Sequence, residues 1–152
     1  MMSGTIEAVC LAEKKGTAKR DVRSGRLKAC YGLEGDAHAG NWHRQVSLLS
    51  LEKIREFQSK GADVRFGDFG ENIVASGIDF RSLPVGTVLR IGKAVLVVTQ
   101  IGKECHSHCA IFQTMGDCIM PREGVFAVVI RGGPVNTGDR IEIAASVDGG
   151  GP

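Results

Sequence analysis

Glycine falls singly between short β-branched runs along most of the chain, as in VGTVLRIG (85–92), KAVLVVTQIG (93–102) and VFAVVIRGG (125–133). A chain punctuated in this way must turn often, and the short apolar runs between turns have the length and composition of strands. All 21 glycines belong to this pattern or to loops, and no internal repeat is visible. One segment departs from it: Ser50 followed by LEKIREFQSKG puts Leu51, Ile54 and Phe57 on one face, with a serine N-cap and Gly61 as the stop. Strands therefore outnumber helices without alternating regularly with them. The expected fold is mainly β, a β-barrel with one clear helix and short helical insertions, rather than a parallel α/β sheet.

Along the chain, Thr5–Ala12 reads as a first strand, and GTAKRDVRSGRLKAC as a polar, basic connection entering a second. RQVSLLS is a short strand. VRFGDFGENIVASGIDFRSL is irregular around one further strand, and the runs on either side of Gly92–Lys93 form a hairpin. CHSHCAIFQTMGDCIM has room for a short helix that Pro121 brings to an end. VFAVVIRGG followed by VNTGDRIEIAA is expected to make the last hairpin. One domain over residues 4–145 is expected, with a disordered glycine-rich tail at 146–152.

Charge excludes several partners. With 19 basic and 17 acidic side chains the net charge is +2, so no field strong enough to hold nucleic acid or an anionic membrane is expected. No stretch approaches the roughly 18 apolar residues of a membrane span, and the N-terminus lacks a signal-peptide pattern. The five cysteines are odd in number, which suits the reduced thiols of a cytoplasmic protein. Neither a Gly-x-Ser-x-Gly elbow nor a phosphate-binding Gly-x-x-x-x-Gly-Lys-Ser/Thr loop is present.

Three clusters carry candidate chemistry. The first is the aperiodic loop YGLEGDAHAGNWH and the arginine after it, which gathers Glu34, Asp36, His38, Trp42, His43 and Arg44 around Gly32, Gly35 and Gly40. Such a loop suits a phosphate or pterin contact through side chains and exposed amides. In the competing structural reading Trp42 closes the barrel end, Asp36 caps a turn and the imidazoles bond internally. The second is Phe69, Gly70, Glu71 and Asn72 ahead of an apolar run, where Asn72 is either a ligand-reading amide or an ordinary turn residue.

The third cluster, Lys103 to Cys118, holds Cys105, His106, His108, Cys109 and Cys118. Cys105 and Cys109, with a histidine, have the types but not the spacing of a zinc ribbon. Cys118 lies near Arg122, which favours thiolate, the form that carries sulfur or ligates a soft metal. A buried, inert thiol is the alternative.

Taken in order, GLEGDAHAGNWHRQVSLLS, FGENIVASGIDFRSLPVGTVLRIG, GKECHSHCAI, MGDCIMPREGVFAVVIRGG and NTGDRIEI resemble the MOSC domain, named for the C-terminal part of molybdenum-cofactor sulfurases. The likeness is to the short stand-alone bacterial type. It implies a barrel of the MOSC, PK-barrel-like kind and a molybdenum cofactor (molybdopterin) pocket. It implies Cys118 as the catalytic sulfur carrier or the molybdenum ligand. Asp36, His38, His43, Arg44, Asn72 and Arg122 are then the cofactor-binding candidates.

No pyridoxal phosphate site is expected within these residues, so sulfur is expected from a separate cysteine desulfurase, with delivery to a molybdoenzyme or cofactor-biosynthesis protein. The alternatives are a non-catalytic cofactor-binding module and a component of a molybdenum-dependent reductase. A homodimer is compatible with exposed strand edges.

Overall fold

The computed structural model describes residues 3–15, 17–102 and 123–146. Cys105, His106, His108, Cys109, Cys118 and Arg122 lie outside the described residues, as does the expected helix in that stretch. Among the described residues, eleven strands, one α-helix and one 3-10 turn at Phe80–Ser82 are formed.

Seven strands close a barrel. These are β1 (Ser3–Leu11), β5 (Val46–Ser50), β6 (Ile73–Ser76), β7 (Thr87–Ile91), β8 (Ala94–Ile101), β9 (Val125–Arg131) and β11 (Arg140–Ser146). They pair in the order β11-β7-β8-β9-β5-β6-β1, and β1 returns to β11. A two-residue strand, β2 (Arg20–Asp21), extends the sheet beyond β1, while β3 (Ser24–Lys28), β4 (Gly32–Leu33) and β10 (Gly133–Asn136) form a small separate sheet in the order β10-β3-β4.

The closed barrel is that expected from the glycine-punctuated runs, and the helix that expected after Ser50. The Gly92–Lys93 hairpin is present too, with Ile91 opposite Ala94. The helix α1 spans Leu51–Ser59 and links β5 to β6, a parallel pair in register at Leu48 and Ile73. That crossover explains why β5 is buried at all five positions. Val46 and Leu48 face the barrel interior with Val9, Leu89, Leu96 and Val129. Leu49 points outward into a second apolar layer with Ile54 of α1, Val74, Phe69 and Cys10. A bulge between Ile6 and Ala8 shifts the register of β1 against β6, a common way of bending a barrel strand.

Two local expectations are corrected. Ser50 sits at the N-cap position without a side-chain cap bond; its hydroxyl donates to the Ile78 carbonyl at 2.6 Å and accepts from Phe80 N at 3.2 Å. Buried between β5 and the 3-10 turn, it serves the tertiary fold instead of the helix end. The last hairpin also does not form. β9 lies between β8 and β5, β10 joins β3, and β11 closes the barrel against β1 and β7. Adjacency in the chain lost to closure of the barrel, which leaves no strand edge in the ring.

Candidate functional site

The loop after β4 is built on a buried ion pair. Asp36 Oδ1 accepts from Lys19 Nζ at 2.6 Å and from Ala12 N at 3.1 Å, and Oδ2 accepts from His38 N at 3.1 Å. Both side chains of the pair are essentially removed from solvent, at 1% and 0% exposure. Burial pulls the Lys19 ammonium below its ordinary value, opposed by the hydrogen bond and charge of Asp36. Lys19 Nζ also lies 3.0 Å from His38 Nδ1. An ammonium can only donate, so neutral His38 carries its proton on Nε2. The Lys19 backbone is itself held against Gly67, whose carbonyl accepts from Lys19 N at 2.7 Å, whose φ is 93° and where a Cβ would stand 2.0 Å from the Lys19 carbonyl oxygen.

From His38 the order continues toward the barrel end. Trp42 Nε1 donates to the His38 carbonyl at 2.7 Å. The Trp42 ring then carries the Arg44 guanidinium 4.6 Å from its centroid and Lys15 Nζ at 5.8 Å, and Arg44 also lies 5.6 Å from the Phe126 ring of β9. Arg44 Nε is buried and has no hydrogen-bond partner among the described residues. His43 packs edge-on to Trp42 at 5.9 Å and meets Gln100 Oε1 of β8 through Nε2 at 2.7 Å. The Thr99 hydroxyl is bonded to the His43 carbonyl. Trp42, His43 and Arg44 are thus fixed to the ends of β8 and β9. Gly102 N donates to the Gly124 carbonyl there at 2.7 Å.

The sequence-selected residues separate into two groups. His43 and Arg44 gather around Trp42 with open valences. Asp36 and Asn72 do not join them. Asp36 spends its carboxylate on Lys19 and two backbone amides, and so supports the loop. Asn72 is fully buried; Oδ1 accepts from Ser47 N at 2.9 Å and Nδ2 donates to the Cys10 carbonyl at 3.0 Å. Its amide ties β5 to β1 across β6. His38 stands between the groups, held by Lys19 and Asp36. Within the loop the amides of Asp36, Ala37, His38, Ala39, Gly40 and Trp42 all donate within the protein.

Lys19 and Gln100 were not signalled by sequence. Glu71, noted only as part of a turn cluster, is fully buried and accepts from Gly67 N at 2.9 Å and Phe69 N at 3.1 Å. Burial is the largest influence and pushes its carboxyl up to about 7 from an ordinary 4.5. The folded protein then holds a proton that the unfolded chain releases. Stability from this group is complete below about pH 4.5 and is lost as pH rises through about 7. Chemical denaturation across that window should show the loss, and Glu71→Gln should flatten it. An equally steep profile in the variant would contradict the assignment.

Burial likewise pushes the Cys10 thiol up, with Glu71 adding to the effect, so Cys10 stays protonated. Among the described residues no group of three or more His, Cys, Asp and Glu is placed to hold a metal ion, and no helix is long and apolar enough to cross a membrane. Shallow pockets of about 400 and 300 Å³ lie elsewhere, one at Ser50, Lys53 and Asp79 and the other at Leu11, Lys14 and Arg20. Neither includes Arg44 or His43.

The family model of the MOSC domain matches residues 35–142, a span that begins in the Asp36 loop and contains Cys118. Among solved structures, the YuaD protein from Bacillus subtilis superposes with a TM-score of 0.77 at 22% identity, covering 92% of this chain and 94% of that one. YiiM from Geobacillus stearothermophilus gives 0.70 at 17% identity over 95% and 80% of the two chains. YiiM from Escherichia coli gives 0.67 at 21% over 97% and 74%. At these identities the likeness is one of fold. No curated protein matches the chain.

Proposed function

Because the chain belongs to the MOSC domain family, we propose that its molybdenum cofactor-related function is sulfur transfer: Cys118 accepts sulfur from a separate cysteine desulfurase and delivers it to the cofactor held at the barrel end. The observation that carries the reading is the buried Arg44 Nε with no acceptor among the described residues. A buried guanidinium N–H is costly to leave unpaired, and the phosphate of molybdopterin is an acceptor of the right charge and geometry for it.

The residues at hand fit that group. Arg44 would take the phosphate, Trp42 and Phe126 keep the guanidinium in place, and Arg122 would add a second cation. His43 presents a ring nitrogen beside them. Asp36 and Lys19 hold the loop that presents this set. When bound, the cofactor supplies a molybdenum centre that takes a sulfur ligand. Gly102 and Gly124 flank the segment containing Cys118, and their mutual hydrogen bond lies at the strand ends that carry Gln100 and Phe126.

Sulfur loading needs no external oxidant. The Cys118 thiolate attacks the outer sulfur of the donor persulfide, the donor S–S bond breaks, and the donor cysteine leaves as thiolate. Incubation with a cysteine desulfurase and cysteine should add one sulfur to the intact protein, removable by reductant, and Cys118→Ser should abolish the addition. Undiminished loading of the serine variant would overturn the carrier role. In the second reading Cys118 ligates the metal without turnover. Arg44 supports both equally, and the loading result separates them.

A further inference from the structure

Arg44 shares the Trp42 ring with a second cation. Lys15 Nζ lies 5.8 Å from the indole centroid, against 4.6 Å for the Arg44 guanidinium. Neither is ion-paired with a carboxylate among the described residues. A ring face attracts a cation without cancelling its charge, so two like charges are held beside one side chain and repel each other. At Lys15 the chain borders a pocket of about 300 Å³ lined by apolar Leu11, Ala12 and Ala18 and by charged Lys14, Arg20 and Glu13. The pocket shares a wall with the Trp42 loop, since Ala12 N donates to Asp36 Oδ1 at 3.1 Å and Ala37 N donates to the Ala12 carbonyl at 2.8 Å. The Thr17 hydroxyl donates to the Lys14 carbonyl at 2.8 Å and holds the turn that carries Lys14 and Lys15. Asp21, the next acid along the chain, follows Arg20 on β2, where neighbouring side chains take opposite faces, and it accepts from Arg23 N at 2.9 Å.

We propose that the Trp42 rim and this pocket together bind a nucleoside diphosphate unit: Arg44 and Lys15 take the two phosphates, and the nucleoside lies in the pocket between Lys14 and Arg20. The inference rests on the reading above for the phosphate at Arg44, while Lys15 and the pocket stand apart from it. Charge sets the class of ligand. A phosphate monoester brings about 1.5–2 negative charges at neutral pH, and Arg44 with Lys15 balances that alone. Lys14 and Arg20, opposed in the pocket by Glu13 alone, leave further positive charge for a second phosphate. The pocket also supplies what the rest of such a ligand needs, with Leu11, Ala12 and Ala18 as apolar contacts for a base and the Glu13 carboxylate as an acceptor for sugar hydroxyls. Its volume lies at the lower end of small-molecule sites, about 300–1,000 Å³, which suits a single nucleoside. The role is binding, with no bond made or broken. The same chemistry reaches the site from two sources, a free nucleotide or a nucleotide joined through its phosphate to the pterin cofactor.

Trp42 is the one tryptophan of the chain, so its fluorescence reports from within the site, and titration calorimetry gives the same affinities independently. The full chain is titrated with inorganic phosphate, pyrophosphate, ADP and CDP. Pyrophosphate should bind about tenfold more tightly than phosphate, as one added charge-assisted contact implies, and both nucleotides about tenfold more tightly again. Lys15→Gln should bring pyrophosphate down to the phosphate level. Lys14→Gln combined with Arg20→Gln should bring ADP and CDP down to the pyrophosphate level and leave pyrophosphate itself unchanged. All three side chains are exposed, so the melting temperature should hold in each variant.

Equal affinity for phosphate, pyrophosphate and nucleotides, no binding of any of them, or wild-type affinity for ADP in the Lys14→Gln, Arg20→Gln variant would overturn the inference. Molybdenum cofactor in its monophosphate and nucleotide-linked forms separates the two sources. Tighter uptake of the linked form, lost in the double variant, assigns the pocket to the cofactor, and equal uptake of both forms assigns it to a free nucleotide. If the nucleotides bind as expected while the wild type takes up neither sulfur nor cofactor, the sulfur-transfer reading fails and the diphosphate site stands. If sulfur loads and cofactor binds while pyrophosphate and ADP bind no better than phosphate, the diphosphate site fails and that reading stands.

Discussion

Lys19→Met is expected to cost about 3–5 kcal/mol of folding stability, the range for removing one partner of a buried ion pair, and to lower the melting temperature by roughly 10 °C or more. The methionine replaces most of the aliphatic stem, so lost packing contributes little. The cost comes from Asp36, whose carboxylate is left with two backbone amides and no counter-charge at 0% exposure. Lys19→Met combined with Asp36→Asn should be less destabilising than the two single changes added together, because a neutral amide needs no cation. Thermal or denaturant unfolding of the four proteins checks this. Additive losses would show that the pair is not coupled. The single variant should also loosen the path from His38 to Trp42, since the Trp42 indole bonds the His38 carbonyl.

The second large effect runs the other way. Arg44→Met is expected to leave the fold as stable as the wild type or slightly more so, while weakening binding of the molybdenum cofactor by about 10- to 100-fold, as loss of a charge-assisted hydrogen bond implies. Arg44 gives its fold two stacking contacts, with Trp42 and Phe126, each worth about 0.5–1 kcal/mol. Methionine recovers part of that by packing on the same rings. It also removes a buried donor that has no acceptor among the described residues. A residue kept for the fold alone would destabilise on removal. One kept for a ligand shows this opposite signature.

Much of the architecture was legible from local pattern. The runs around Gly92 had the spacing of a hairpin, and Leu51, Ile54 and Phe57 had the spacing of a helix. Each signal lives within a few residues of sequence. The last hairpin failed as an expectation because strand pairing around a closed ring is decided by residues far apart, as when Val125 and Val128 of β9 meet Ile101 and Val97 of β8.

The site was legible as a composition but not as an arrangement. The density of His, Trp and Arg in residues 34–44 drew attention to the loop that the Lys19–Asp36 pair holds. Which of them support and which present depends on burial. Asp36 and Asn72 look alike in sequence to residues that contact ligands, yet both are consumed by internal bonds. Lys19 gave no signal, since GTAKRDV reads as an exposed basic connection until Asp36 folds over it. Gln100 was equally silent, an amide at the end of an alternating strand whose meaning depends on His43, 57 positions earlier.

The most direct test of the account is equilibrium uptake of free molybdenum cofactor, followed by pterin fluorescence and bound molybdenum on the repurified chain, with wild type and Arg44→Met side by side. The wild type should retain both pterin and metal, and Arg44→Met should lose most of each with its melting temperature unchanged. A wild-type protein that retains neither, or an Arg44→Met variant that binds as well as the wild type, would contradict the assignment of this barrel end to the cofactor.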